Sequence, residues 1–123
     1  MEIEFISHFL PKGLLEHFSI IDLFELCDIQ TKQHYFEIVL EEHNKILREV
    51  DASLYESKGF TEITIQDFPI RGKAVYLKIK RRRWRLKNNP KIVIRNDFSF
   101  VAEGSGFTQE LSDFLKGTGR YKD

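Results

Sequence analysis

Eleven Lys or Arg side chains fall between Phe68 and Asn96 with no Asp or Glu among them, and the chemistry open to such a run is the holding of anions. The rest of the chain carries eight basic and nineteen acidic side chains, so a formal net charge of zero conceals a segment near +11 and a remainder near −11. The densest part reads Tyr76-Leu77-Lys78-Ile79-Lys80-Arg81-Arg82-Arg83-Trp84-Arg85. Like charges this close repel one another, so a partner that supplies negative charge is the natural counterpart, and nucleic acid is the commonest. Lysines meet phosphates as point charges, whereas arginines also grip guanine edges with two hydrogen bonds. The residues assigned to nucleic acid are Arg71, Lys73, Lys78, Lys80, Arg81, Arg82, Arg83, Trp84, Arg85 and Lys87. If about six to ten of them engage phosphates, affinity falls roughly 10³- to 10⁵-fold between about 50 and 200 mM salt. The plainer alternative is a solvated edge strand guarded by lysines. Arginine at 81, 82, 83 and 85, with a Trp between, exceeds what edge protection needs.

Other chemistry is thinly represented. His8, His17, His34 and His43 are scattered without metal-ligand spacing, and neither Glu41-Glu42 nor Asp22 with Glu25 makes a metal site with them. The single Cys27 excludes an intramolecular disulfide and a cysteine zinc site, and its apolar surroundings suit a buried thiol in a reducing cytoplasm. There is no phosphate-binding loop, nucleotide fingerprint or nucleophile motif, so the expectation is a protein without catalysis, cofactor or metal of its own.

The elements that position the basic run follow from periodicity. Val75, Leu77 and Ile79 alternate with polar residues, which predicts a half-buried strand over Lys73–Leu86, the longest of the chain. Its faces separate: Val75, Leu77 and Ile79 toward the core, and Tyr76, Lys78, Lys80, Arg82 and Trp84 away from it. Beyond Ile79 the core face becomes Arg81, Arg83 and Arg85, which resist unpaired burial. That predicts a hairpin projecting past the body of the domain, with Trp84 either stacking on an unpaired base or packed beneath the hairpin. Pro69-Ile70-Arg71-Gly72 and Asn88-Asn89-Pro90 read as turns, and Lys91–Val101 as the returning strand.

Upstream, Ile3–Leu10 and Leu14–Phe18 read as short helices. Ser19–Ile29 fits either a helix or a strand, with strand preferred because Phe36, Ile38 and Leu40 form a clear partner after the polar break 28–33. Residues 42–57 read as a connection with a helical turn near Ile46 and Leu47, and Phe60–Gln66 as a strand with Ile63 and Ile65 on one face. Phe107–Lys116 reads as a helix capped by Ser105 or Gly106 and stopped by Gly117, ahead of a mobile tail 118–123.

The sum is an α+β fold: a mainly antiparallel sheet of four to five strands, short N-terminal helices and one C-terminal helix. One domain covers 1–117, in the order helices plus acidic hairpin (1–57), basic hairpin (58–101) and helix (105–117). A chain of 123 residues with 41% apolar side chains has enough for one core. No stretch reaches the about eighteen apolar residues of a membrane span, and the acidic start is unlike a signal peptide.

The run Asp67 to Arg85 resembles the N-terminal region of a group of bacterial insertion-sequence transposases, in which a zinc ribbon precedes a helix-turn-helix and a DDE catalytic domain. The matching positions are Asp67, Pro69, Ile70, Gly72, Lys73, Val75, Arg82, Arg83 and Arg85. Leu10-Pro11-Lys12-Gly13-Leu14-Leu15 and Phe114-Leu115-Lys116-Gly117-Thr118-Gly119-Arg120-Tyr121 look like the ISAon-type branch of that group. Where zinc-bearing relatives continue with Cys this chain has Leu86, and no Cys pair precedes Asp67. The resemblance therefore implies a ribbon-like hairpin without metal. It implies a module that binds double-stranded DNA, the element's terminal inverted repeats, beside a catalytic transposase subunit or domain encoded in a second frame or elsewhere in a longer chain. Two other readings stand behind it: a protein-interaction module whose basic hairpin docks an acidic surface, its own copies included as a homo-oligomer, and an RNA-binding protein.

Overall fold

The computed structural model describes residues 8–100 and 106–120. Five strands form one sheet: β1 (Phe18–Cys27), β2 (His34–Glu42), β3 (Tyr55–Ile70), β4 (Lys73–Leu86) and β5 (Asn89–Ile94). Among the described residues two helices flank it, α1 (Leu14–His17) and α2 (Gln109–Arg120). The strand order is β1-β2-β4-β3, with β5 also on β4. Every pairing is antiparallel except β2 with β4, which run parallel. This is the expected α+β class, and the ambiguous stretch after Ser19 is a strand.

Alternation builds the core. Ile38 lies opposite Leu77, Leu40 opposite Ile79 and Ile65 opposite Leu77, so one sheet face is a continuous apolar surface. Leu10, Leu14 and Phe18 pack on that face, with Phe98 and Phe100 beside them. Val75, Leu77 and Ile79 are buried, as their spacing predicts. Phe98 and Phe100 reach this core from irregular chain, since β5 ends at Ile94 and the strand expected through Val101 does not continue. Their rings meet Phe18 at 5.0 and 5.6 Å in edge-on contacts.

The turn between β3 and β4 is two residues long, Arg71 and Gly72, with φ of 54° and 77°. Two positive φ values match the twist of the flanking strands, as a type I′ hairpin requires. β3, with 16 residues against 14 in β4, is the longest strand. The boundary expected at 57/58 falls inside it. The helical turn of the β2–β3 connection lies at Ala52–Leu54, where the Asp51 carboxylate accepts from the Ser53 N–H, and not near Ile46 and Leu47.

α2 starts later and runs further than its sequence suggests. Its cap is Thr108, whose Oγ1 accepts from the Leu111 N–H at 3.3 Å while its carbonyl accepts from the Ser112 N–H at 2.9 Å. The same hydroxyl donates to Asp67 Oδ1 at 2.9 Å, which fastens the helix to β3. Gly117 sits inside the helix and residues 118–120 continue it. The helix expected over Ile3–Leu10 and the end of the tail fall largely outside the described residues.

The seam between β2 and β5 is the least ordinary feature. Both strands pair with the same edge of β4, β2 as far as Lys80 and β5 from Trp84. Between them the Arg82 backbone N–H has no strand to bond, and the Glu42 carboxylate accepts it at 2.9 Å. The other carboxylate oxygen accepts from the Asn96 amide at 2.8 Å. Asn96 in turn accepts from the Leu47 N–H and donates to the Lys45 carbonyl. Glu42 and Asn96 are both only 2% exposed.

Asn96→Ala removes three of these bonds and leaves a buried carboxylate short of a donor. It is expected to cost about 2–4 kcal/mol, read as a lower denaturant midpoint at unchanged slope; a loss below about 0.5 kcal/mol would show that the node carries no weight. Asp67 gives a pH signature. Burial raises its pKa above the ordinary 3.8, against the bonds from Phe68 and Thr108 that lower it. A raised carboxylate pKa contributes stability that is present below the unfolded value and lost as pH rises through the folded one. Wild type should therefore lose stability relative to Asp67→Asn as pH is raised from 3 to 7, and a difference that grows the other way would contradict the burial.

Candidate nucleic-acid interface

β4 is not a projecting arm. It is the central strand, paired with β3 from Lys73 to Leu86 along one edge and with β2 and then β5 along the other. Its neighbours are acidic, and they take up much of its charge. Lys73 Nζ lies 3.2 Å from Glu25 and over the Phe36 ring. Lys78 Nζ lies 3.2 Å from Glu62 and 3.8 Å from Glu37, and these carboxylates raise its pKa. Lys80 is half-buried, with Glu41 and Glu62 as its register partners on the two sides.

Arg82 is fixed more firmly. Its guanidinium donates to the Glu42 carbonyl and the Ser57 hydroxyl, lies 3.7 Å from Glu41 and covers the Phe60 ring at 4.5 Å. Trp84, expected on the outward face, is 2% exposed. The 43–54 connection covers it, and Asn44 Oδ1 accepts the indole N–H at 2.8 Å. The ring considered for base stacking is therefore packed, because the connection has to pass this end of β4 to reach β3. Arg71 and Lys87 are exposed, but they lie at opposite ends of the strand.

The core face gives a different picture. Arg81, Arg83 and Arg85 follow Ile79 on it, past the end of the apolar surface, and all three are half-buried. Trp84 pairs with Ile94, so antiparallel counting brings Arg95 beside Arg83. Arg81 Nη2 donates to the Asn96 carbonyl at 2.6 Å. Burial, and next the Arg95 charge, push its pKa down, while Glu42 and Asp97 oppose the shift. Arg85 Nε donates to Glu56 at 2.8 Å, an exposed pair of small energetic worth. Among the described residues Arg81, Arg83 and Arg95 have no ion-pair partner. The Nε atoms of Arg81 and Arg83 are buried without a hydrogen-bond acceptor. Four arginines thus converge on one patch whose own carboxylates do not match them.

The patch keeps Arg81, Arg83 and Arg85 from the ten residues assigned by sequence, and it adds Arg95. Arg95 was not legible: counting back across the turn from Leu86 and Asn89 would set Ile92 opposite Arg83, and a register shift between Arg85 and Leu86 brings Arg95 there instead. Nor was Glu56, since its approach to Arg85 depends on a bulge in β3 between Ser57 and Gly59. Among the described residues no group of His, Cys, Asp and Glu is placed to hold a metal ion, and no helix is long and apolar enough to cross a membrane. Comparison with protein-family models, curated proteins and solved structures returns no match.

Trp84 is the chain's one Trp, so its emission reports this site directly. Blue-shifted fluorescence with weak acrylamide quenching is expected, unchanged by added nucleic acid. Emission like that of free indole, or quenching by DNA through stacking, would contradict the packing.

Proposed function

We propose that the chain is a non-catalytic DNA-binding module that holds duplex DNA against the arginine patch of β4 and β5. The setting is the one the resemblance implies: a cytoplasmic insertion-sequence transposase whose DDE catalytic part is supplied by another subunit or domain, with the element's terminal inverted repeats as target. One observation carries the reading. Arg81, Arg83, Arg85 and Arg95 gather on one face, three of them free of ion pairs among the described residues and two with a buried Nε unmatched. Like charges side by side cost free energy that an anion at the exposed ends of the guanidinium groups relieves. Phosphate suits guanidinium well, because its oxygens accept the fork of N–H groups in pairs.

The site is smaller than the basic run. With Lys73, Lys78 and Arg82 committed to carboxylates of the chain itself and Arg71 and Lys87 at opposite ends of β4, the patch offers three or four phosphate contacts, not the six to ten of the full run. Fluorescence anisotropy of a labelled duplex tests this. Affinity is expected to fall on the order of 10²-fold between about 50 and 200 mM salt. The Arg83→Gln, Arg95→Gln double variant should weaken binding sharply, while Lys78→Gln, whose charge is already matched, should leave it within about twofold. No binding at low salt would remove the reading. Oligomers that dissolve in salt, seen by light scattering, would then favour docking on an acidic protein surface.

A further inference from the structure

We propose that the arginine patch grips the phosphates of a single sugar–phosphate strand and reads no base edges, so that this face supplies affinity without sequence preference and selection of the terminal repeats falls to the rest of the transposase. The inference rests on the DNA-binding reading and specifies what the patch touches.

Width decides against base contact. A two-stranded ribbon fits the major groove, which is about 12 Å wide. Here β3, β4 and β5 lie side by side over Trp84 to Leu86, with outer backbones about 10 Å apart before any side chain is added. Arg85 stands on the middle strand there, and Arg81 and Arg83 just beyond it lie between β3 and the Glu42–Asn96 seam; the stems of all three are half-buried, while Arg95 is exposed on the chain leaving β5. A face of that breadth rests on the groove's rims, where the phosphates are, and its central side chains do not reach the floor.

Spacing favours the backbone. Arg81, Arg83 and Arg85 recur at every second residue, about 6.6 Å apart along the strand, a step comparable to that between neighbouring phosphates on one nucleic-acid strand. Arg95 broadens the row at Arg83. On the other side Arg83 pairs with Gly59, whose missing side chain leaves open space, with no atom within 4 Å of where a Cβ would stand. A bulky residue there would fence the Arg83 guanidinium from an approaching chain. Glu56 sits on Arg85 at the outer end and disfavours a phosphate there, so Arg81, Arg83 and Arg95 make the grip.

The test uses the whole chain, two labelled duplexes of equal length and composition but unrelated sequence, and one of their single strands. Wild type is expected to bind both duplexes within about twofold of each other and to retain binding to the single strand. Arg83→Gln should lower affinity about five- to tenfold on both duplexes and reduce the salt slope by about one. Arg83→Lys should restore most of that loss, because a point charge satisfies a phosphate but cannot make the paired bonds to guanine. Preference above tenfold for one duplex, abolished equally by Arg83→Gln and Arg83→Lys, would overturn the inference while leaving DNA binding intact. Failure of wild type to bind any of the three would remove the DNA-binding reading and this inference together. Circular dichroism of both variants, expected to match wild type, keeps a folding defect from being read as lost contact.

Discussion

One carboxylate joins the two halves of the sheet. β4 has a single edge to offer β2 and β5, and the two strands leave a gap at Arg82 where the backbone N–H has no strand partner. An unpaired N–H in a sheet interior is costly, and Glu42 fills the gap with its side chain. Because its second oxygen is held by Asn96, the same group fixes the chain that follows β5 and, through Lys45 and Leu47, the connection that leaves β2. That connection carries Asn44 onto Trp84 and delivers the chain to β3. The arginine patch depends on this arrangement, since Asn96 also places its carbonyl on Arg81 and orients the segment bearing Arg95.

The charge pattern has an internal and an external part. A strand dense in Lys and Arg is stable at the centre of a sheet only if its neighbours carry the opposite sign, and β2 and β3 supply Glu37, Glu41, Glu56 and Glu62 at its flanks. These exposed or half-exposed pairs are individually weak. The observed strand order puts opposite charges side by side, where a like-charged neighbour opposite β4 would be repelled. What they leave over, on the face away from Lys78 and Arg82, is the patch available to an outside anion.

Much of the architecture could be read from the chain. The alternation of Val75, Leu77 and Ile79 gave the buried face of β4, Phe36, Ile38 and Leu40 gave that of β2, and the hairpin at Arg71-Gly72 followed from local turn preference. These features are fixed within a few residues of themselves, by side-chain period and permitted backbone angles. Helix limits were less legible: Thr108 caps α2 because Asp67, forty-one positions earlier, holds its hydroxyl, and a distant partner leaves no mark on local pattern.

The sequence by itself determined the segregation of charge, the apolar alternation and the α+β class, because composition and periodicity belong to the chain in any conformation. Only the tertiary structure decided which cations are spent. β4 lies between acidic strands and is not an exposed arm, so Lys73, Lys78 and Arg82 are matched internally, Trp84 is covered, and Arg95 joins Arg81 and Arg83 across a strand pair. The reason is physical: a charge is committed or free according to what stands within a few ångströms of it, and that is set by strand order and register, which no single segment encodes.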